Sequence, residues 1–323
     1  MTDVTIGIDI GGTTTDFSFV DRNGVCLTGG SIRTDAHDGI EPYLDDLIRQ
    51  LTVVRSSYDG KLVVVGCGIG APNANYFTGT VEHAPNLTWK GVVPLAQLLT
   101  DQLGVPAVLT NDANAAALGE LLFGGAQGLT DFVLVTLGTG LGTGFVTGGN
   151  LLYGHDGFAG ELGHTIVEPG GRECGCGRRG CLETYVSVTG LVRTVKLALD
   201  EGQGSVLAEQ SRESLSGEAI HKAALAGDAL ALEAFQFTGK WLGFALANAV
   251  AITSPSDIIL FGGLVAAGDL LLEPTRAAFE AGLLNIYSGK VRIRVSGLKG
   301  SEAAVQGAAA LSWKELELDR DGD

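Results

Sequence analysis

Asp3-Val4-Thr5-Ile6-Gly7-Ile8-Asp9 followed by Ile10-Gly11-Gly12-Thr13 reads as a buried strand that ends on a carboxylate and enters a glycine turn. A second strand follows at about 16–20 and a third near 25–30. The layout then recurs. Asp131-Phe132-Val133-Leu134-Val135-Thr136-Leu137 is a strand, Gly138-Thr139-Gly140-Leu141-Gly142-Thr143-Gly144 is the turn, Phe145-Val146-Thr147 leads outward, and Gly148-Gly149-Asn150 turns back. Strand, Gly/Thr turn, strand, turn, strand thus occurs twice, about 125 residues apart, and such self-similarity indicates two related halves.

Outward from these segments, Ile40, Tyr43, Leu44, Leu47, Ile48 and Leu51 give a helical period over 39–54. A strand from Leu62 to Cys67 runs into the glycine-rich Gly66–Gly70. Helical pattern dominates 183–253, with a polar break near 200–215. A short strand at 257–261 stops at Gly262-Gly263. A helix near 269–282, a strand near 291–296 and an Ala-rich helix near 302–317 follow. No low-complexity linker divides the chain. The repeat therefore sets the expected boundary near 112: a small α/β domain of 1–112 closed by the C-terminal helix (303–323), and a large α/β domain of 113–302.

The chain has 323 residues, enough for two ordinary domains, and is 45% hydrophobic with 49 Gly and 8 Pro. That composition is globular. Its net charge of -16 repels phosphate backbones and anionic lipid surfaces, so neither nucleic acid nor membrane is an expected partner. No apolar run has bilayer length, and the start lacks the basic region of a signal peptide. The expected location is the cytoplasm. Of five Cys, Cys174, Cys176 and Cys181 fall within eight residues. In a reducing compartment that clustering points to metal. Cys26 and Cys67 lie in apolar strand-like runs and read as buried thiols.

Glycine lets backbone N–H groups approach a phosphate, and Thr hydroxyls add donors. Neither glycine turn fits a P-loop or a dinucleotide fingerprint. Two turns of one layout, each joining antiparallel strands, point to a nucleotide phosphate clamp instead of a pair of ordinary hairpins. Asp9, at a strand end beside the first turn, suits Mg2+ held through water, although an Asp there can also cap a turn. Thr110-Asn111-Asp112-Ala113-Asn114 follows an apolar strand and precedes an Ala-rich helix. Asn and Asp are favoured N-caps, but one cap suffices. A carboxylate at a strand's carboxyl end can take the proton of an attacking hydroxyl. His164 with Cys174, Cys176 and Cys181 matches a closed tetrahedral zinc site, hence a structural one. Glu161 and Glu183 flank those ligands, and carboxylates with imidazole can bind vicinal sugar hydroxyls.

Together these segments resemble the ROK family (repressors, open reading frames and kinases). Asp9-Ile10-Gly11-Gly12-Thr13 looks like its first phosphate motif and Leu137 to Gly144 like its second. Asn111-Asp112-Ala113-Asn114 looks like its catalytic-Asp segment. Glu161/His164 with the Cys-Gly-Cys-Gly-x-x-Gly-Cys-x-Glu run matches the family signature, and Gly262-Gly263 resembles its adenosine-side loop. The resemblance implies an actin/hexokinase-like ATPase fold, with two α/β domains and a nucleotide/sugar cleft between them. It also implies an ATP-dependent hexose kinase, glucose being the leading acceptor ahead of fructose, mannose or an N-acetylhexosamine; a non-catalytic sugar sensor is the rival. Asp112 would be the base. Gly70, Asn73, Asn86, Asn111, Asp112, Glu161, His164 and Glu183 would contact the sugar. Asp9, Gly11, Gly12, Thr13, Thr14, Gly138, Thr139, Gly140, Gly262 and Gly263 would hold MgATP. His164 would serve sugar and zinc together, and the assembly would be a homodimer. Two positions depart from the family pattern. Thr14 stands where many family kinases carry Lys or Asn, and Asn73-Ala74-Asn75 follows Pro72 where Gly is expected. Family repressors carry an N-terminal helix-turn-helix, whereas here the first phosphate strand begins by residue 4.

Overall fold

The structure, a computed structural model, describes residues 1–298 and 302–321. The chain opens with β1 (Thr2–Ile10), β2 (Thr14–Asp21) and β3 (Cys26–Arg33), then α1 (Ile40–Ser57) and β4 (Leu62–Gly70). Short strands β5 (Ala74–Asn75), β6 (Thr80–Glu82) and β7 (Val92–Val93) precede α2 (Leu95–Leu103), β8 (Ala107–Thr110) and α3 (Asp112–Leu122). The second cycle is β9 (Phe132–Leu137), β10 (Leu141–Thr147) and β11 (Asn150–Leu151). It continues through α4 (Val188–Asp200), α5 (Gly217–Leu225), α6 (Ala229–Thr253), β12 (Asp257–Phe261), α7 (Asp269–Gly282), β13 (Arg292–Val295) and α8 (Glu302–Asp321).

The repeat seen in the sequence is a repeat of topology. One sheet has the order β3-β2-β1-β4-β8 and another β11-β10-β9-β12-β13, each three consecutive strands extended by two later ones. In the first sheet β1 and β2 form an antiparallel pair, while β4 and β8 run parallel to β1. In the second, β9, β12 and β13 are parallel.

Period-2 alternation in β1 explains how that sheet is covered. Val4, Ile6, Ile8 and Ile10 are all at most 2% exposed and join a core with Tyr43, Leu44, Leu47 and Leu51, the apolar face of α1. The opposite face carries Thr5, Gly7 and Asp9. Thr5 Oγ1 donates to Ala309 O at 3.4 Å, and at Gly7 a Cβ would collide with the Val305 carbonyl. On β4, a Cβ at Gly68 would likewise meet the Ala308 carbonyl, and one at Gly66 the Ser312 hydroxyl. A strip of side-chain-poor positions on two adjacent strands thus forms the seat of α8.

By contact the chain falls into two compact units. The first comprises Met1–Thr130, Gly144–Gly160 and Ser296–Asp323, the second Asp131–Thr143 and Glu161–Val295. The first takes in more chain than the expected 1–112 plus 303–323. Helix α3 packs closely on α8, with Gly119 and Gly307 at the approach, and Gly144 lies against Ala113 and Ala117 of α3. These contacts keep α3 and the chain after Gly144 with the first sheet.

Local differences have local causes. Helix α2 and the small sheet β5-β6-β7 occupy a stretch whose sequence shows no clear period, because α2 spans only nine residues and the three strands two or three each. The helix expected from 183 begins at Val188, where Ser187 caps it by accepting from Gly190 N–H. Cys67 is fully buried, whereas Cys26 is only half-buried. No described helix is long and apolar enough to cross a membrane.

Candidate active site

The first unit gathers its polar groups where parallel strands end. Asp9 of β1 lies opposite Gly70 of β4, and Gly70 lies opposite Thr110 of β8. This row is the carboxyl edge at which open α/β sheets bind ligands. Asn111 and Asp112 follow directly. Asn111 is the N-cap of α3, its Oδ1 accepting from Asn114 N–H at 2.7 Å. The cap role therefore falls to Asn111, and Asp112 is left at the first helical position. Its Oδ1 accepts from Ala113 N–H at 2.8 Å. Asp112 keeps solvent-accessible surface, yet desolvation by the surrounding protein raises its pKa, with the bond from Ala113 working the other way.

Beside it, the Asp9 carboxyl is pushed up to about 7, first by burial, then by the charges of Asp112 and Asp16. Asp16 was not singled out in the sequence. It lies directly across the hairpin from Asp9 in the β1–β2 register, so the turn length already implied the pairing. The three carboxylates neighbour one another without closing into a ligand cage. That donor set suits a hard divalent cation which keeps waters and binds chiefly through phosphates.

The first glycine turn is closed by Gly11 N–H donating to Thr14 O at 2.9 Å, and Thr13 O accepts from Thr34 N–H. Thr13 and Thr14 are exposed. Gly12 rests against the backbone and Cβ of Asn86, where a side chain would not fit. Asn86 is thereby brought to the phosphate turn. A Cβ at Gly70 would press on the Ala115 methyl and touch Asp9 Oδ1 and the Cα of Asp112, so glycine sits closely among these groups. Asn73 adopts φ 51° and donates its amide to Glu82 O at 3.0 Å, which engages it in its own loop.

The second unit holds the second turn and the cysteine knuckle in one network. Gly138 O accepts from Val188 N–H and Thr139 O from the Thr189 hydroxyl, so the start of α4 braces the turn. Leu141 N–H donates to Glu183 Oε2 at 3.0 Å, and Gly140 is so close to that carboxylate that a Cβ would collide with it. Gly262, at φ 109°, lies on the backbone of Leu137 just before the turn, and Gly263 opens a 3-10 turn (Gly263–Ala267). Glu161 precedes the 3-10 turn Leu162–His164, which is fixed by Leu162 N–H donating to Thr143 Oγ1 at 3.3 Å. Thr143 thus supports the Glu161/His164 loop, a role with no motif to announce it.

The donor atoms of His164, Cys174, Cys176 and Cys181 all lie within 4.8 Å of one another. Cys176 Sγ is 3.6 Å from Cys181 Sγ, and Cys174 Sγ is 3.6 Å from His164 Nδ1. Tetrahedral zinc with bonds of about 2.3 Å to sulfur calls for sulfur separations of roughly 3.8 Å. The cluster fits such an ion. It turns Nδ1 of His164 toward the sulfurs, which leaves Nε2 as the nitrogen for a different partner. Desolvation works against the Cys176 thiolate, but Arg178 and the neighbouring thiols hold its pKa at about 6. Burial pushes Cys174 up to about 12 and also raises Cys181. Metal binding would displace those protons.

A family model described as ROK family matches residues 5–315. The chain belongs to the ROK family. This ROK chain is 37% identical over 323 residues to a glucokinase of Halalkalibacterium halodurans, covering 98% of this chain and 97% of that one. A solved ROK family glucokinase from Streptomyces griseus, in complex with glucose and AMPPNP, matches with a TM-score of 0.80 at 36% identity, over 96% of this chain and 99% of that one. A ROK family transcriptional regulator homologous to the E. coli MLC protein matches with a TM-score of 0.85 at 27% identity, over 96% of this chain and 78% of that one. The ROK chain therefore shares its fold with kinases and regulators alike, and the site must distinguish them.

Proposed function

We propose that the chain is an ATP-dependent hexose kinase that transfers the γ-phosphoryl group of ATP to the 6-hydroxyl of glucose. The observation that carries this reading is Asp112. With the N-cap supplied by Asn111, a carboxylate stands just after β8 at the first position of α3, one oxygen taking Ala113 N–H, next to Asp9 and the first glycine turn. A sensor has no use for a base there. Near full-length similarity to glucokinases supports the same reading.

In this mechanism Asp112 accepts the proton of the 6-hydroxyl as its oxygen attacks the γ-phosphorus. The bond from phosphorus to the bridging oxygen breaks, and ADP leaves. Asn111, Glu161, Glu183 and His164 Nε2 bind the sugar hydroxyls, with Gly70, Asn73 and Asn86 lining their loops. Backbone N–H groups of Gly11, Gly12, Thr13 and Thr14, and of Gly138, Thr139 and Gly140, receive the phosphates. Gly262 and Gly263 border the adenosine. Mg2+, bound near Asp9, would neutralise charge on the phosphates. Zn2+ held by His164, Cys174, Cys176 and Cys181 would be structural, fixing the loop that carries Glu183. We place the chain in the cytoplasm, where ATP is supplied, as a homodimer.

The test is ADP release from MgATP with glucose, fructose, mannose, N-acetylglucosamine and N-acetylmannosamine. Strong turnover with glucose is expected. Preference for a different sugar moves the acceptor, and no turnover with any, from folded and metal-loaded protein, replaces the kinase with a sugar sensor.

A further inference from the structure

Arg172 lies just ahead of the cysteine knuckle and belongs to no motif. Its guanidinium donates through Nη1 to Thr184 O at 2.8 Å and Gly190 O at 3.3 Å, and through Nη2 to Thr194 Oγ1 at 3.0 Å. It lies 4.6 Å over the Tyr185 ring and 5.5 Å from the Phe237 ring. The backbone of the same residue is held at both ends: its N–H donates to the Tyr185 hydroxyl at 3.0 Å, and its carbonyl accepts from Gly180 N–H at 2.7 Å. Tyr185 also packs against Trp241 of α6.

The partners of Arg172 define its reach. Thr184 is the residue after Glu183, and Glu183 holds Leu141 N–H in the second glycine turn. Gly190 lies in the first turn of α4, whose Val188 and Thr189 bind the carbonyls of Gly138 and Thr139. One planar fork therefore ties the start of the knuckle to the Glu183 segment and to the helix start that braces the phosphate turn. Its donors are oriented by a rigid guanidinium, a geometry a lysine ammonium cannot reproduce.

We propose that Arg172 is a positioning residue that sets the aim of Glu183 at the sugar through its guanidinium, a route other than the metal ligands' side chains. The proposal rests on the kinase reading above. Because Glu183 would bind the sugar alike before and during transfer, misaiming it weakens binding more than chemistry.

The experiment compares wild type with Arg172→Lys and Arg172→Met for kcat, KM for glucose, KM for ATP and bound zinc per chain. Arg172→Met is expected to raise the glucose KM about tenfold or more, with kcat and zinc content close to wild type. Arg172→Lys, keeping the charge but not the fork, falls between. A wild-type glucose KM in either folded variant overturns the proposal, as does a loss of kcat alone or a loss of zinc that accounts for the defect. If Arg172→Met does not fold, Arg172→Lys decides by the same readings. Absence of glucose turnover in the wild type counts against the kinase reading and is separate from these outcomes.

Discussion

At the scale of single residues, the question is which of several adjacent acids does chemistry. Asn111 takes the cap of α3, and Asp112 is raised above the ordinary carboxylate range by desolvation. Asp112→Asn removes the proposed base while keeping the shape. We expect turnover to fall at least about a hundredfold, with glucose binding by calorimetry held within a few-fold. In the wild type, kcat/KM should decline as pH falls through the raised pKa of Asp112, since only the ionised form accepts a proton; Asp112→Asn should lack that limb. Full activity in the variant removes the base assignment. The residue types were legible in the sequence, where Thr110-Asn111-Asp112 stands between a strand and a helix. Which side chain caps was not, since Asn and Asp cap almost equally well. Asp16 belongs to no motif, and its proximity to Asp9 is a matter of cross-strand register.

At the scale of elements, two seats carry the site. One is the knuckle, where the four donor atoms already converge. Metal analysis should find one zinc per chain. Its removal by chelation should make 165–185 susceptible to protease and cut glucose turnover, because the loop that bears Glu183 loses its staple. A chain purified without zinc yet fully active would show the cluster to be dispensable. The other seat is the glycine strip of β1 and β4 under α8. Gly68→Ala would drive a Cβ into the Ala308 carbonyl, and backbone cannot swing aside as a side chain can. We expect a loss of stability of about 1–3 kcal/mol or more, read by denaturant unfolding. The knuckle's spacing already pointed to the four donor atoms that converge. The strip did not announce its tenant, because alternating glycines in a strand serve equally for a close ligand or a bulge.

At the scale of the whole molecule, acid crowding at the site connects to global stability. Asp9 titrates near 7 in the fold against an ordinary 3.8, so between those values the folded state binds more protons than the unfolded one. Stability therefore falls as pH rises across that window. Thermal unfolding of the ligand-free protein should show that slope, and Asp9→Asn should flatten it; an unchanged slope would mean Asp9 is not its source. The sequence by itself determined the recurring strand-turn-strand plan, the zinc-type ligand set and the family, because glycine turns, apolar alternation and Cys/His spacing are local patterns fixed along the chain. Only the tertiary structure decided how far the first unit extends, what covers the small-residue face of the first sheet, how Asp112 loads Asp9, and that Arg172 spans the knuckle and α4. Those depend on contacts between residues distant in sequence, where register, close backbone approach and desolvation set the energy, and no local pattern encodes them.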